Sequence, residues 1–167
     1  MGNDYRSKRL KEMNWTLAFI HELCLALWVG GLFALDAEAP IRLKTPGVTP
    51  EQATAIGSRV FRLFRYLQVL LGLILIAVTY LMMRRRTNAA FWIRVELCCL
   101  ALMLAVTVFQ VVYLGPSVER ARIAKYSNVR FDERRFHLLH MSYLILDGVK
   151  MLLGLVVLGL VAFYSGV

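Results

Sequence analysis

Four apolar runs, at about 14–36, 66–83, 91–115 and 137–163, are each long enough to cross a bilayer. A helix needs roughly 20 mainly apolar residues to span a hydrocarbon core of about 30 Å. The runs are not purely apolar: they carry His21, Glu22, Asp36, Glu96, Gln110, His140, Asp147 and Lys150. A charge near the centre of a membrane helix costs about 2.5–3.5 kcal/mol on the gentlest scale, so such residues usually face the bundle interior and mark a site. The expectation is an all-α membrane protein: one domain over 1–167, built as an up-down bundle of four transmembrane helices with a polar interior.

Composition fits. Hydrophobic residues make up 59% of the chain and mean hydropathy is +0.59, too apolar for an ordinary soluble domain. The first 13 residues are polar and basic, and the run behind them is too long for a cleavable signal peptide. Cys24, Cys98 and Cys99 all fall inside apolar runs, which reads as reduced core residues and not a disulfide framework. The net charge of +9 gathers at membrane edges, so it is assigned to lipid headgroups and not to nucleic acid. Arg6, Lys8, Arg9 and Lys11 precede the first run, and Arg84, Arg85 and Arg86 follow the second. By the positive-inside tendency these clusters place both termini in the cytoplasm, although loops 37–65 and 116–136 also hold many arginines.

Those loops have structure of their own. Thr45-Pro46-Gly47 breaks the chain, and Thr49-Pro50-Glu51-Gln52 supplies an N-cap, a proline at N1 and a glutamine at N3. Ile56, Val60, Phe61 and Phe64 then form an apolar stripe with Arg59, Arg62 and Arg65 around it, predicting a wet-faced interfacial helix that runs into the second span. Gly115-Pro116 is expected to end the third helix and Pro40 to follow the first. Tyr126-Ser127-Asn128 makes a break, and Asp132-Glu133 starts an extension of the last helix.

Helical spacing aligns the polar residues into faces: His140, Tyr143, Asp147, Lys150 and Gly154; Glu96, Cys99, Met103 and Gln110; His21, Cys24, Trp28 and Gly31; and Gln68, Gly72 and Thr79. Asp147 and Lys150, at i,i+3, form a candidate buried pair that holds the bundle together. With midpoints near residues 25 and 150, His21 and His140 differ in level by roughly 20 Å at 1.5 Å per residue. They therefore belong to separate groups. The inner one is His21, Glu22, Arg94 and Glu96. The outer one is Asp36, His137, His140 and Gln110, in which Asp36, His137 and His140 are the candidate metal ligands, the two histidines at i,i+3.

His21, six residues, Trp28, then Val29-Gly30-Gly31-Leu32-Phe33 resembles the first helix of the CopD-like superfamily of small membrane bundles, and also that of HemJ-type protoporphyrinogen oxidases. Phe136-His137-Leu138-Leu139-His140-Met141-Ser142, opening a helix that ends in Leu153-Gly154-Leu155, is closer to an uncharacterised bacterial branch of the superfamily. The HemJ resemblance implies a b-type haem held by the first-helix histidine, here His21, and by a lysine early in the third helix, where this chain has Glu96. A carboxylate is a poor ligand for a low-spin haem, so either the haem is absent or His21 is its only strong ligand. The CopD resemblance implies copper handling, and the bacterial branch implies an inner (cytoplasmic) membrane.

Three functional classes follow. The first is a cofactor-free accessory or scaffold subunit that packs with other membrane subunits or with further copies of itself. The second is a haem- or metal-binding bundle using His21. The third is a small transporter or proton path along Asp147 and Lys150, for which four helices leave little room. No Ser-His-Asp arrangement, phosphate loop or paired Cys/His zinc motif marks an enzyme.

Overall fold

The computed structural model describes residues 2–84, 90–126 and 132–165. Lipid offers backbone N–H and C=O groups no partners, so an apolar run crossing it must bond within itself. The chain accordingly forms α1 (Gly2–Leu43), α2 (Pro50–Met83), α3 (Ala90–Phe109), a π-helical segment (Gln110–Leu114), α4 (Gly115–Tyr126) and α5 (Glu133–Ser165). α3, the π segment and α4 join end to end, so the architecture is one of four rods, each long and apolar enough to cross a membrane. Large apolar side chains such as Phe19, Phe33, Leu63, Val112 and Leu152 cover its outside, as lipid contact requires. This is the architecture of an integral membrane protein.

α2 starts as its sequence dictates. The Thr49 hydroxyl accepts from the Gln52 N–H at 3.2 Å, the Gln52 side chain accepts from the Thr49 N–H at 3.0 Å, and Pro50 takes the first helical position. This reciprocal cap satisfies two donors that the helix itself cannot. Gly47, at φ 81°, makes the tight turn before it. With 34 residues, α2 is about 51 Å long, so it overshoots a hydrocarbon core of about 30 Å.

At two places the helices run past the breaks expected from proline. α1 continues through Pro40 to Leu43. The carbonyl left without its donor is that of Asp36, an exposed residue, so another partner is within reach. Gly115-Pro116 does not end the third rod either. The π segment delivers the Gly115 N–H to the Gln110 carbonyl, and Pro116 falls in the first turn of α4, where a missing N–H costs little. α5 starts at Glu133 as expected. Arg85, Arg86, Ser127 and Asn128 lie outside the described residues, as do the side chains of the basic cluster at 6–11.

Around the bundle α1 packs on α2, α2 on α3, α3 on α5 and α5 on α1, which sets α1 and α3 on a diagonal. The middle of the bundle is apolar: Leu25, Trp28, Leu75, Leu100, Met103 and Val157 are all fully buried. Gly72 lets α1 and α2 approach, since a Cβ there would lie 2.6 Å from Trp28 Cζ3. That contact fixes the height of α1 against α2.

Candidate functional site: two buried polar layers

Above and below this apolar middle the helices bring together polar side chains, in one layer at each end. In the first layer, α1 contributes His21, α2 Thr79 and α3 Glu96, each at most 1% exposed. His21 Nε2 lies 2.6 Å from Glu96 Oε1, and the Thr79 hydroxyl donates to the same oxygen at 3.0 Å. The imidazole N–H is not aimed along the line to the carboxylate, so the contact is a close approach and not a well-directed hydrogen bond.

The second layer centres on Lys150 of α5, which is fully buried. An ammonium has three protons to donate. Lys150 Nζ meets three acceptors: Gln110 Oε1 at 2.6 Å, Asp147 Oδ1 at 2.8 Å and Gln68 Oε1 at 3.2 Å. Gln110 Nε2 in turn donates to Asp147 Oδ1 at 3.1 Å and to the Tyr143 carbonyl at 3.5 Å. Three rods are thereby tied at one level, with the charges of Asp147 and Lys150 matched. Arg65 of α2 closes the layer from outside. Its Nε donates to the Phe61 carbonyl and its Nη1 to the Gln110 carbonyl, while the guanidinium lies 5.3 Å from the centre of the Tyr143 ring. That Gln110 carbonyl is also the one the π segment's wider turn bonds to Gly115, so the irregular helix and the arginine meet at one atom. Isolated π turns often mark functional positions; here the segment begins at the residue that binds the lysine.

The layers are well apart. Glu96 and Gln110 are 14 positions apart on the third rod, about 21 Å at 1.5 Å per residue. Between them sit the buried Leu25, Trp28, Leu75, Leu100 and Met103, an apolar barrier to any polar path. Two buried donors of this region, Trp28 Nε1 and Gln68 Nε2, have no hydrogen-bond partner among the described residues.

Several expected groupings change. His21 and Glu96 do come together, but Glu22 and Arg94 are exposed on the outside of the bundle and do not join them. Neighbouring helix positions differ by about 100°, and here that turn carries Glu22 onto the exposed side of α1. Gln110 belongs with Asp147 and Lys150 and not with the histidines. His137 and His140 are exposed, His140 stacked on Phe136 with ring centres 6.1 Å apart. Asp36, also exposed, lies within electrostatic reach of Asp147 and Lys150. Among the described residues no three His, Cys, Asp or Glu side chains converge as a metal-binding group. Arg65, expected to stay wet, is only 9% exposed. A signal for it existed in the sequence: Arg65, Gln68, Gly72, Leu75 and Thr79 follow spacings of 3, 4, 3 and 4, a single helix face.

Residues 23–127, more than half of the chain, match the family model described as a domain of unknown function, DUF4149. The chain belongs to the DUF4149 family. No curated protein and no solved structure matches it. The DUF4149 match contains Thr79, Glu96, Gln68 and Gln110 but stops short of α5, and His21 precedes it. Each polar layer of this DUF4149 protein is therefore completed by a residue from outside the matched segment.

Proposed function

We propose that this DUF4149 protein is a cofactor-free accessory or scaffold subunit that packs within a larger membrane assembly. The observation that carries this reading is the three-acceptor cage around Lys150, supplied from α2, the π segment and α5. Its two charged groups are matched to one another. A buried ionic cluster of this kind specifies which helices pair and at what height. The apolar barrier between the layers speaks against a continuous proton path, and with it against transport.

The haem alternative, and with it a kinship to CopD-like or HemJ-type bundles, rests on the first-helix motif around His21 and Trp28. The residues do not fit that group as they are arranged. The imidazole nitrogen that would take the iron faces Glu96 at 2.6 Å, and both side chains are at most 2% exposed. A porphyrin between them would require α1 and α3 to separate. Asp36, His137 and His140 likewise do not converge as a metal-binding group.

Extraction of native membranes into polymer discs, followed by sizing and an absorption spectrum, tests the subunit reading. The expected result is a colourless particle far larger than one 19.1 kDa chain. A Soret band that disappears in His21→Ala would overturn it in favour of haem binding.

A further inference from the structure

The outer faces of α1 and α3 are complementary. On α1, Leu23, Ala26, Gly30 and Phe33 are all exposed and repeat at 3, 4 and 3, a single seam. A Cβ built on Gly30 would have nothing within 4 Å, so this stretch of backbone lies bare to the outside. On α3, Cys98, Ala101, Ala105 and Val108 are exposed and repeat at 3, 4 and 3. Ala101, Ala105 and Val108 line an open apolar groove walled by Ile76, Leu104 and Tyr113.

The two seams also match in height. The His21–Glu96 contact puts these residues at one level, and alternate rods of an up-down bundle run in the same direction. Ala26 and Ala101 are each five positions beyond that level, and Gly30 and Ala105 each nine; Leu23 and Cys98 are each two beyond it, and Phe33 and Val108 each twelve. Both helices rise 1.5 Å per residue, so the match persists along the seam. Neighbouring copies in one membrane share their levels, so small residues meet small residues when α1 of one copy lies beside α3 of the next. Small residues let helix backbones approach closely, which is how membrane helices associate.

Charge completes the fit. Glu22 continues the α1 seam four residues before Ala26, and Arg94 continues the α3 seam four residues before Cys98; both are exposed. They are three positions apart in level, about 4.5 Å, within the reach of an arginine side chain. The Glu22 side chain leans toward its helix N-terminus and hence toward the Arg94 level. A carboxylate on the lipid-facing side of a membrane helix is costly, and a pairing cation relieves the cost.

We propose that copies of this chain associate head-to-tail in the membrane, the outer face of α1 of one copy seated in the α2–α3 groove of the next, with Glu22 paired to the neighbour's Arg94. The inference rests on the subunit reading above and names the partner as a second copy. Because the contact joins unlike faces, repetition gives a ring where the rotation closes and a chain where it does not.

Disulfide trapping in isolated membranes tests it, using the full chain with Cys24→Ala and Cys99→Ala and copper-phenanthroline as oxidant. Adding Leu23→Cys should give a ladder of dimers, trimers and larger species through Cys98 of the neighbour. Removing Cys98 should abolish the ladder, and Leu152→Cys on α5 should give none. Dimers from Leu23→Cys without Cys98 would mean an α1–α1 contact, and cross-linking of Cys98 alone would mean an α3–α3 contact; either overturns the proposal.

Gly30→Leu should lose the ladder while keeping the helix content and unfolding curve of the parent, and a persistent ladder would overturn the α1 seam. Glu22→Arg should weaken the ladder and the double variant with Arg94→Glu restore it; a double variant as weak as the single would overturn the pairing. A chain that never cross-links yet migrates in a large native particle overturns self-association while leaving the subunit reading in place. Cross-linking with no particle beyond copies of this chain supports self-association and overturns the reading that other subunits join.

Discussion

Lys150→Met provides the most demanding test of the lysine cage. The substitution keeps the length and apolar stem of the side chain but removes the ammonium that meets Asp147, Gln110 and Gln68. Asp147, only 3% exposed, is left with the Gln110 amide as its remaining side-chain donor. Removing one partner of a buried pair costs about 3–5 kcal/mol.

Asp147→Asn/Lys150→Met should cost less than the sum of its single variants, because neither charge is stranded. Unfolding in mixed micelles, followed by the fluorescence of the buried Trp28 against the exposed Trp15 and Trp92, reads all three variants. A cost for Lys150→Met below about 1 kcal/mol would refute the cage as a stabilising unit.

Thr49→Ala should cost about 1 kcal/mol, visible as faster hydrogen exchange confined to the first turn of α2. Gly72→Val should destabilise by about 1–3 kcal/mol through collision with Trp28, read by the same unfolding assay. His21→Ala should cost about 1–3 kcal/mol by removing the imidazole from the buried Glu96 carboxylate, whereas the exposed His140→Ala should fall within about 0.5 kcal/mol of the parent. A larger loss at His140 than at His21 would reverse the assignment of the inner layer.

The sequence by itself determined the four rods and several of their ends. Length and hydropathy suffice for that, because lipid leaves a polar backbone no partner outside its own helix, and because the Thr49–Gln52 cap is a local contact between residues three apart. The sequence also carried the spacing that puts Asp147 beside Lys150, since i,i+3 neighbours on a helix meet whatever surrounds them. What it left open was which rod's polar group meets which. That depends on the rotation and height of each helix, and these are set by distant contacts such as Trp28 resting on Gly72. Tertiary packing turned His21 inward and Glu22 outward, and it drew Arg65 from the wet face into the bundle. Gln110, at the start of the π segment, meets Lys150 instead of the histidines. No local pattern reports that pairing, because its partners, Arg65 and Lys150, lie 45 and 40 residues away in sequence.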